Sequence, residues 1–362
     1  MNNNISNIKF FLGANTPTGF VSRFDQLYNP KDSWFCYILK GGPGTGKSTL
    51  MKKVALEAKK HKIESELIYC ASDPDSLDAV IFPSIKFCIV DGTSPHTLDP
   101  IYPGASDKII NLGQCWSEEK LYNSKDEIIE LSDRNSNFHK ISQRYLAAFG
   151  AIDKDIQKII YESLDKAKLQ SYSKRLAKKL FKPQNKGPVS ESVKFIGAIT
   201  PKGTVLFEDT LSEICEHIYT IDDDYGIISN IILSSLRRDA LNSGYNVITC
   251  YSPLSPKDRI ESLIIPELKI GFATSNLWHP IVKLDSAKKI RTKRFLDSYK
   301  LSLKKQRLSF NRKIAKQLLD EAINNLNRAK STHDSLEQLY IKAMDYKKLN
   351  SITDKIIKDI FK

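Results

Sequence analysis

The residues best suited to chemistry stand together in Gly41-Gly42-Pro43-Gly44-Thr45-Gly46-Lys47-Ser48, which matches the pattern G-x-x-x-x-G-K-S. Glycines let a backbone curl so that successive N–H groups point into one concavity, where they cradle phosphate oxygens. A helix starting at the end of such a loop adds the positive end of its dipole. In this pattern the Lys47 ammonium reaches the β- and γ-phosphates and the Ser48 hydroxyl ligates Mg²⁺. Gly41, Gly42, Pro43, Gly44, Thr45, Gly46, Lys47, Ser48 and Thr49 are therefore the candidate nucleotide-binding residues, with ATP and Mg²⁺ the expected ligands.

Two acidic positions complete the candidate site. The apolar run Ile85–Val90 ends in Asp91, the form of a Walker B element, so Asp91 joins Ser48 as a candidate metal ligand. The strand candidate Glu66–Cys70 runs into Ala71-Ser72-Asp73-Pro74-Asp75-Ser76, and Asp73 is the candidate for orienting the attacking water. Asp75 reads as a turn cap. Lys47, Asp73 and Asp91 form the candidate catalytic set. In an open α/β sheet these positions sit together beyond the strand C-termini.

The flanking segments set the scaffold for these residues. Trp34–Leu39 is apolar and β-prone, and Thr49–Ala58 is strongly helix-forming, which gives the strand–loop–helix context. The unit then recurs. Phe11–Gly19 (FLGANTPTG) returns as Phe195–Gly203 (FIGAITPKG), Leu77–Lys86 matches Ile260–Lys269, and His96 falls opposite His279. The expected fold is α/β: tandem P-loop NTPase units with mainly parallel sheets, each followed by a helical, coiled-coil-like appendage. The boundaries are an active unit at 1–116, an appendage and linker at 117–190, a degenerate unit at 191–285 and a helical appendage at 286–362. The first appendage closes with the breaker-rich Lys182–Pro188. In the second, Ala315, Leu319, Ala322, Leu326, Ala329, His333, Leu336 and Tyr340 alternate steps of four and three, a coiled-coil-like seam on which His333 reads as a packed core residue.

The second copy has lost the chemistry. Where the loop should stand it reads Asp222-Asp223-Asp224-Tyr225-Gly226-Ile227-Ile228-Ser229, with only Gly226 kept. Asp91 is matched by Thr274 and Asp73 by Pro256. Three aspartates are expected to repel a triphosphate. Residues common to both copies (Gly13, Thr16, Pro17, Gly19, Pro83, His96) are expected to serve the fold, and those found only in the first copy to serve chemistry.

Composition sets the partners. The 362 residues carry 55 Lys+Arg against 42 Asp+Glu, a formal net charge of +13, which suits anionic partners. Basic residues concentrate at 166–186 and 288–313, the latter interleaved with Phe295, Tyr299 and Phe310. A nucleic-acid or acidic-protein contact through these helices and a plain solvated face are both open. Cys36, Cys70, Cys88, Cys115, Cys215 and Cys250 form no CxxC pair, and four lie in apolar runs, as suits a reducing compartment. The polar opening Met1–Ser6 lacks an apolar signal core and no apolar run is long enough to span a bilayer. A cytoplasmic protein with no membrane partner is expected, possible as a homo-oligomer.

The segments FLGANTPTGF, GGPGTGKSTLMKK, CASDPDSLD, VDGTSPH followed by YPGA, and NLG at Asn111 make the chain similar to a family of duplicated P-loop ATPases of low-GC Gram-positive bacteria. The resemblance implies ATP binding and hydrolysis, and a recognisable second loop that this chain lacks. The first expectation is a Mg-dependent ATPase whose helical appendages transmit the nucleotide state. A small-molecule or nucleotide kinase and a non-hydrolysing ATP-gated module are the alternatives. GTP is disfavoured, because Asn123-Ser124-Lys125-Asp126 has the wrong spacing for a base-reading motif, and no residue stands out as an arginine finger.

Overall fold

The computed structural model describes residues 8–184, 187–284 and 286–362. The opening Met1–Ser6, Asn185 and Lys186 of the linker, and the boundary residue Asp285 lie outside the described residues.

The first half runs β1 (Lys9–Phe10), β2 (Gly13–Thr16), β3 (Gly19–Ser22), β4 (Phe35–Lys40), α1 (Lys47–Lys60), β5 (Glu66–Tyr69), β6 (Leu77–Phe82), β7 (Phe87–Asp91), β8 (Asp107–Asn111), α2 (Glu118–Asn123), α3 (Lys125–Glu162) and α4 (Lys166–Leu180). The second runs β9 (Glu191–Lys194), β10 (Gly197–Thr200), β11 (Gly203–Leu206), α5 (Glu208–Ile214), β12 (His217–Asp222), α6 (Ile227–Asn242), β13 (Val247–Ser252), β14 (Ser255–Ile265), β15 (Ile270–Ser275), β16 (Lys288–Arg291), α7 (Ser298–Leu303), α8 (Lys305–Ala343) and α9 (Tyr346–Ile360).

The two sheets share one topology. The first orders its strands β1-β5-β6-β7-β4-β8 and the second β9-β13-β14-β15-β12-β16. Each is mixed and mostly parallel: β6 is antiparallel to β5 and β7, and β14 to β13 and β15. The antiparallel strands were not legible in the sequence. Their cause is connection length, because only Cys70–Ser76 separates β5 from β6, too short for a parallel crossover. The recurring Thr-Pro-x-Gly builds the hairpin turns β2–β3 and β10–β11. Thr16 Oγ1 donates to Gly19 O (2.7 Å) and Thr200 Oγ1 to Gly203 O (2.9 Å), with Gly19 at φ +113° and Gly203 at φ +102°.

A pseudo-twofold relation joins the halves. Phe11 N donates to Phe195 O (2.8 Å) and Phe195 N to Phe11 O (3.0 Å), so the repeated segments pair with each other. One buried apolar cluster holds Phe10, Leu12 and Ile38 of the first half with Ile196, Leu211 and Ile264 of the second. The long helices α3 and α8 pack along each other, with Ser142 Oγ donating to Ala322 O (2.9 Å). Ala315, Leu319, Ala322, Leu326, Ala329 and Leu336 of the expected seam are buried there. His333 is a correction: its side chain is 36% exposed, and its Nδ1 lies 3.9 Å from Glu337 Oε1.

Each helical arm docks on the opposite half, and this exchange has no sequence signal. The α3–α4 bend is pinned to the second half, where Asp165 N donates to Phe295 O and Asp297 N to Ser163 O. The α8–α9 bend is pinned to the first half, where Ser117 N donates to Ala343 O and Asp345 N to Cys115 O. Thus α4 packs on α6, and α9 packs on α1 beside the glycine loop.

Candidate functional site

The loop Gly41–Gly46 joins the C-terminal end of β4 to α1, which begins at Lys47. Gly44 (φ +67°) and Gly46 (φ +81°) occupy the left-handed region that glycine tolerates. Thr45, buried, donates from Oγ1 to Gly42 O (2.8 Å) and closes the turn. Lys47 Nζ donates to Gly41 O and Gly42 O, both at 2.8 Å, and lies 3.5 Å from Asp91 Oδ2. Its ammonium is therefore held inside the loop's own curve, with only 11% of the side chain exposed.

Asp91 ends β7, the strand paired in parallel with β4, and Leu39 is its register partner. Its Oδ1 accepts from Thr93 N (2.9 Å) and Thr93 Oγ1 (2.6 Å), which leaves Oδ2 turned to Lys47. Ser48 Oγ accepts from Leu77 N (3.0 Å), so the turn before β6 rests on the first turn of α1. Asp73 in that turn accepts from Ser76 Oγ (2.8 Å) and Asp75 N (3.3 Å). Lys47 and Asp91 are thus brought together directly, while Ser48 and Asp73 are linked through the turn before β6.

The opposite arm adds residues that the sequence reading missed. Gly44 N donates to Glu337 Oε1 at 3.3 Å, so a carboxylate of α8 sits on the loop's anion-facing amides. A Cβ on Gly42 would lie 2.7 Å from the Tyr340 ring, one on Gly44 2.7 Å from Glu337 O, and one on Gly46 2.8 Å from Leu349 Cδ2. The glycines thus admit the C-terminal arm as well as forming the curl. Lys330, also on α8, places Nζ 3.5 Å from Asp73 Oδ2 and pairs with Asp334. Burial opposes the Lys330 charge, yet the Asp334 hydrogen bond and the field of Asp73 raise its pKa above the ordinary lysine value. These residues lie on a helix whose sequence shows only a packing seam, so nothing local marked them.

The corresponding place in the second half is sealed. Asp223 is buried and its Oδ2 accepts from Ser229 N (2.8 Å) and Ser229 Oγ (3.1 Å) at the start of α6. Burial raises its pKa. Above it, Arg259 Nη1 donates to Asp153 Oδ2 of α3 (3.1 Å) and to Tyr225 O (3.3 Å), and the Arg259 side chain packs on Gly226. The degenerate loop is filled by its own carboxylate and a buried ion pair. Asp222 and Asp224, expected to add repulsion, are exposed.

His96 and His279 hold matched places. His96 Nε2 lies 3.3 Å from Asp78 Oδ2, and His279 Nδ1 lies 3.3 Å from Glu261 Oε2, all four side chains being buried. Burial opposes a charge on His96, but the Asp78 carboxylate prevails and raises its pKa. Glu261 also loses hydration, yet His279 and Arg259 hold its pKa down at about 2. A pair present in both halves belongs to the fold rather than to one site.

The described residues thus define a two-unit α/β protein in which one unit keeps a cation-bearing glycine loop beneath the C-terminal arm and the other fills the matching loop with its own carboxylate. Comparison with family models, curated proteins and solved structures found no match for the chain. Among the described residues no helix is long and apolar enough to cross a membrane.

Proposed function

We propose that the first half is a nucleoside-triphosphate-binding unit. Its particular activity is that of a Mg-dependent ATPase, coupled to the C-terminal arm. The observation that carries this reading is the convergence of Lys47 Nζ, Asp91 Oδ2 and the left-handed Gly44 and Gly46 at the N-terminus of α1. The donors offered to a metal are hard oxygens, the Ser48 hydroxyl and the Asp91 carboxylate, which suit Mg²⁺. A hydroxyl oxygen has two lone pairs, so Ser48 can keep its bond from Leu77 N and still ligate. Bound Mg²⁺ supplies charge neutralisation at the phosphates.

The chain's own residues do the rest. Lys47 exchanges the Gly41 and Gly42 carbonyls for phosphate oxygens, and the Gly44 amide exchanges the Glu337 carboxylate for the same ligand. Nucleotide and Glu337 therefore compete for one donor, and α8 must shift as the phosphates enter. Asp73 orients water, and Lys330 on α8 is the cation nearest to it. The pattern G-x-x-x-x-G-K-S at Gly41–Ser48 between a strand and a helix supports this reading. A kinase is disfavoured because the cover over the loop is Glu337 and Tyr340 rather than an arginine-rich lid.

The test is steady-state phosphate release and calorimetric titration with Mg-ATP. Saturable ATP binding by the wild type, lost in Lys47→Ala with unchanged circular dichroism, supports the assignment. Equal ATP binding by both proteins would refute it.

A further inference from the structure

The two basic stretches of the sequence, far apart along the chain, meet on one face of the second half. Helix α4 carries Lys166, Lys168, Lys174, Arg175, Lys178 and Lys179, all exposed, because Leu169, Ser173 and Ala177 form the face that packs inward. The edge strand β16 and the segment after it carry Lys288, Lys289, Arg291, Lys293, Arg294 and Lys300, again all exposed. Contacts join the two sets. Lys168 Nζ donates to Arg294 O (2.8 Å), and the Arg294 guanidinium lies 4.5 Å from the Tyr172 ring centroid. Lys168, Arg294 and Lys300 line one cleft with Leu164, Leu296 and two carboxylates, Asp165 and Asp297, which cap the starts of α4 and α7. Among the described residues none of these cations is in an ion pair.

The molecule supplies its own control. Because the halves share a topology, the same face exists on the first half, built from β8, the segment after it and α9. There, residues 108–120 carry Lys108 and Lys120 against Glu118 and Glu119, and α9 carries Lys347, Lys348, Lys355 and Lys358 against Asp354 and Asp359. On the second half the only acid among the corresponding residues, 166–180 and 288–300, is Asp297. Packing needs are the same on both faces, so the packing does not call for the extra charge. A requirement for solubility alone would not concentrate it on one of two equivalent faces.

We propose that this face, formed by α4, β16 and the residues up to Lys300, binds the phosphate backbone of nucleic acid without reading sequence. Unpaired long-chain cations spread over a helix and an exposed strand edge suit a regular array of phosphates, with counterion release as the driving force. The surface lies on the half whose nucleotide loop is closed and does not depend on ATP binding.

The experiment is fluorescence anisotropy with labelled 20-base-pair DNA and, separately, a 20-nucleotide single strand, over a range of salt. The full-length triple variant Arg175→Glu/Lys178→Glu/Lys288→Glu is compared with Lys355→Glu/Lys358→Glu/Lys108→Glu, which makes the same charge change at matched positions of the first half. The second-half variant is expected to bind at least about tenfold more weakly at ~0.1 M salt with a shallower salt slope, and the first-half variant to stay within about threefold of wild type. The lower wild-type dissociation constant at equal salt identifies duplex or single strand as the better ligand. Equal weakening by both variants overturns the proposal, as does the absence of binding to either probe. Polyglutamate binding as tightly as DNA would assign the face to acidic protein instead and also overturn it. Glutamine at the same three positions replaces glutamate if the reversal perturbs the circular dichroism.

Discussion

The loop before α1 and the loop before α6 sit at the same place in the same topology, and each faces a carboxylate. In the second half that carboxylate is Asp223, part of the loop itself, buried and bonded to Ser229 N and Oγ. In the first it is Glu337, brought from another helix and held by one 3.3 Å bond from Gly44 N. The internal carboxylate is covalently part of the loop that it fills, whereas the carboxylate on a separate helix can move with that helix. The arms differ in the same sense. The arm over the second loop is fixed by the buried Arg259–Asp153 pair, and the arm over the first loop lies close against the glycines through Tyr340, Glu337 and Leu349.

The largest effect is expected where the comparison is most rigid. Arg259→Ala leaves Asp153 buried without its partner and should lower unfolding free energy by about 3–5 kcal/mol. Urea denaturation measures this, and a loss comparable to that of a surface residue would show that the second arm-lock is weak. Next, Lys47→Ala should weaken ATP binding about 100-fold, as loss of a charge-assisted contact to phosphate implies. Asp223→Ala should leave ATP affinity within about twofold, by the same calorimetry, since that loop takes no part. A smaller effect, in the other direction, is expected of Glu337→Gln. Removing the competing carboxylate from Gly44 should tighten ATP about three- to tenfold. Weaker binding in this variant would mean that Glu337 helps to hold the ligand rather than to displace it.

The smallest differences are in pH response, and they separate the two carboxylate–histidine pairs. His96 is raised above its ordinary 6.5, so the stability it contributes is full below that value and is lost as pH rises through the raised pKa. Glu261 is depressed from 4.5 to about 2, so its contribution is present above 4.5 and is lost as pH falls toward 2. His96→Gln should flatten the melting-temperature profile above pH 6.5, and Glu261→Gln the profile in acid. If each variant altered the profile in both ranges, the pairs would not be independent.

Much of the first glycine loop was legible because its determinants are local. Strand Phe35–Lys40, the glycine turn and helix Lys47–Lys60 follow from consecutive residues, and Asp91 from the end of an apolar run. The repeat predicted two similar units from matched Thr-Pro-x-Gly turns. The antiparallel β6 and β14 were missed because an apolar strand flanked by short loops gives no sign of its direction. Three aspartates were legible at the second loop, but not that only Asp223 turns inward beneath Arg259, which reaches across to Asp153 of α3.

By itself the sequence determined a duplicated α/β chain and the residues of one glycine loop, because turn chemistry, strand pattern and helix propensity act over a few residues. The exchange of arms between halves, the position of Glu337 and Tyr340 over the first loop, and the meeting of the basic stretches on one face arise in long-range packing. Those facts depend on where long helices α3 and α8 end in space after packing on each other, which no neighbouring residues encode.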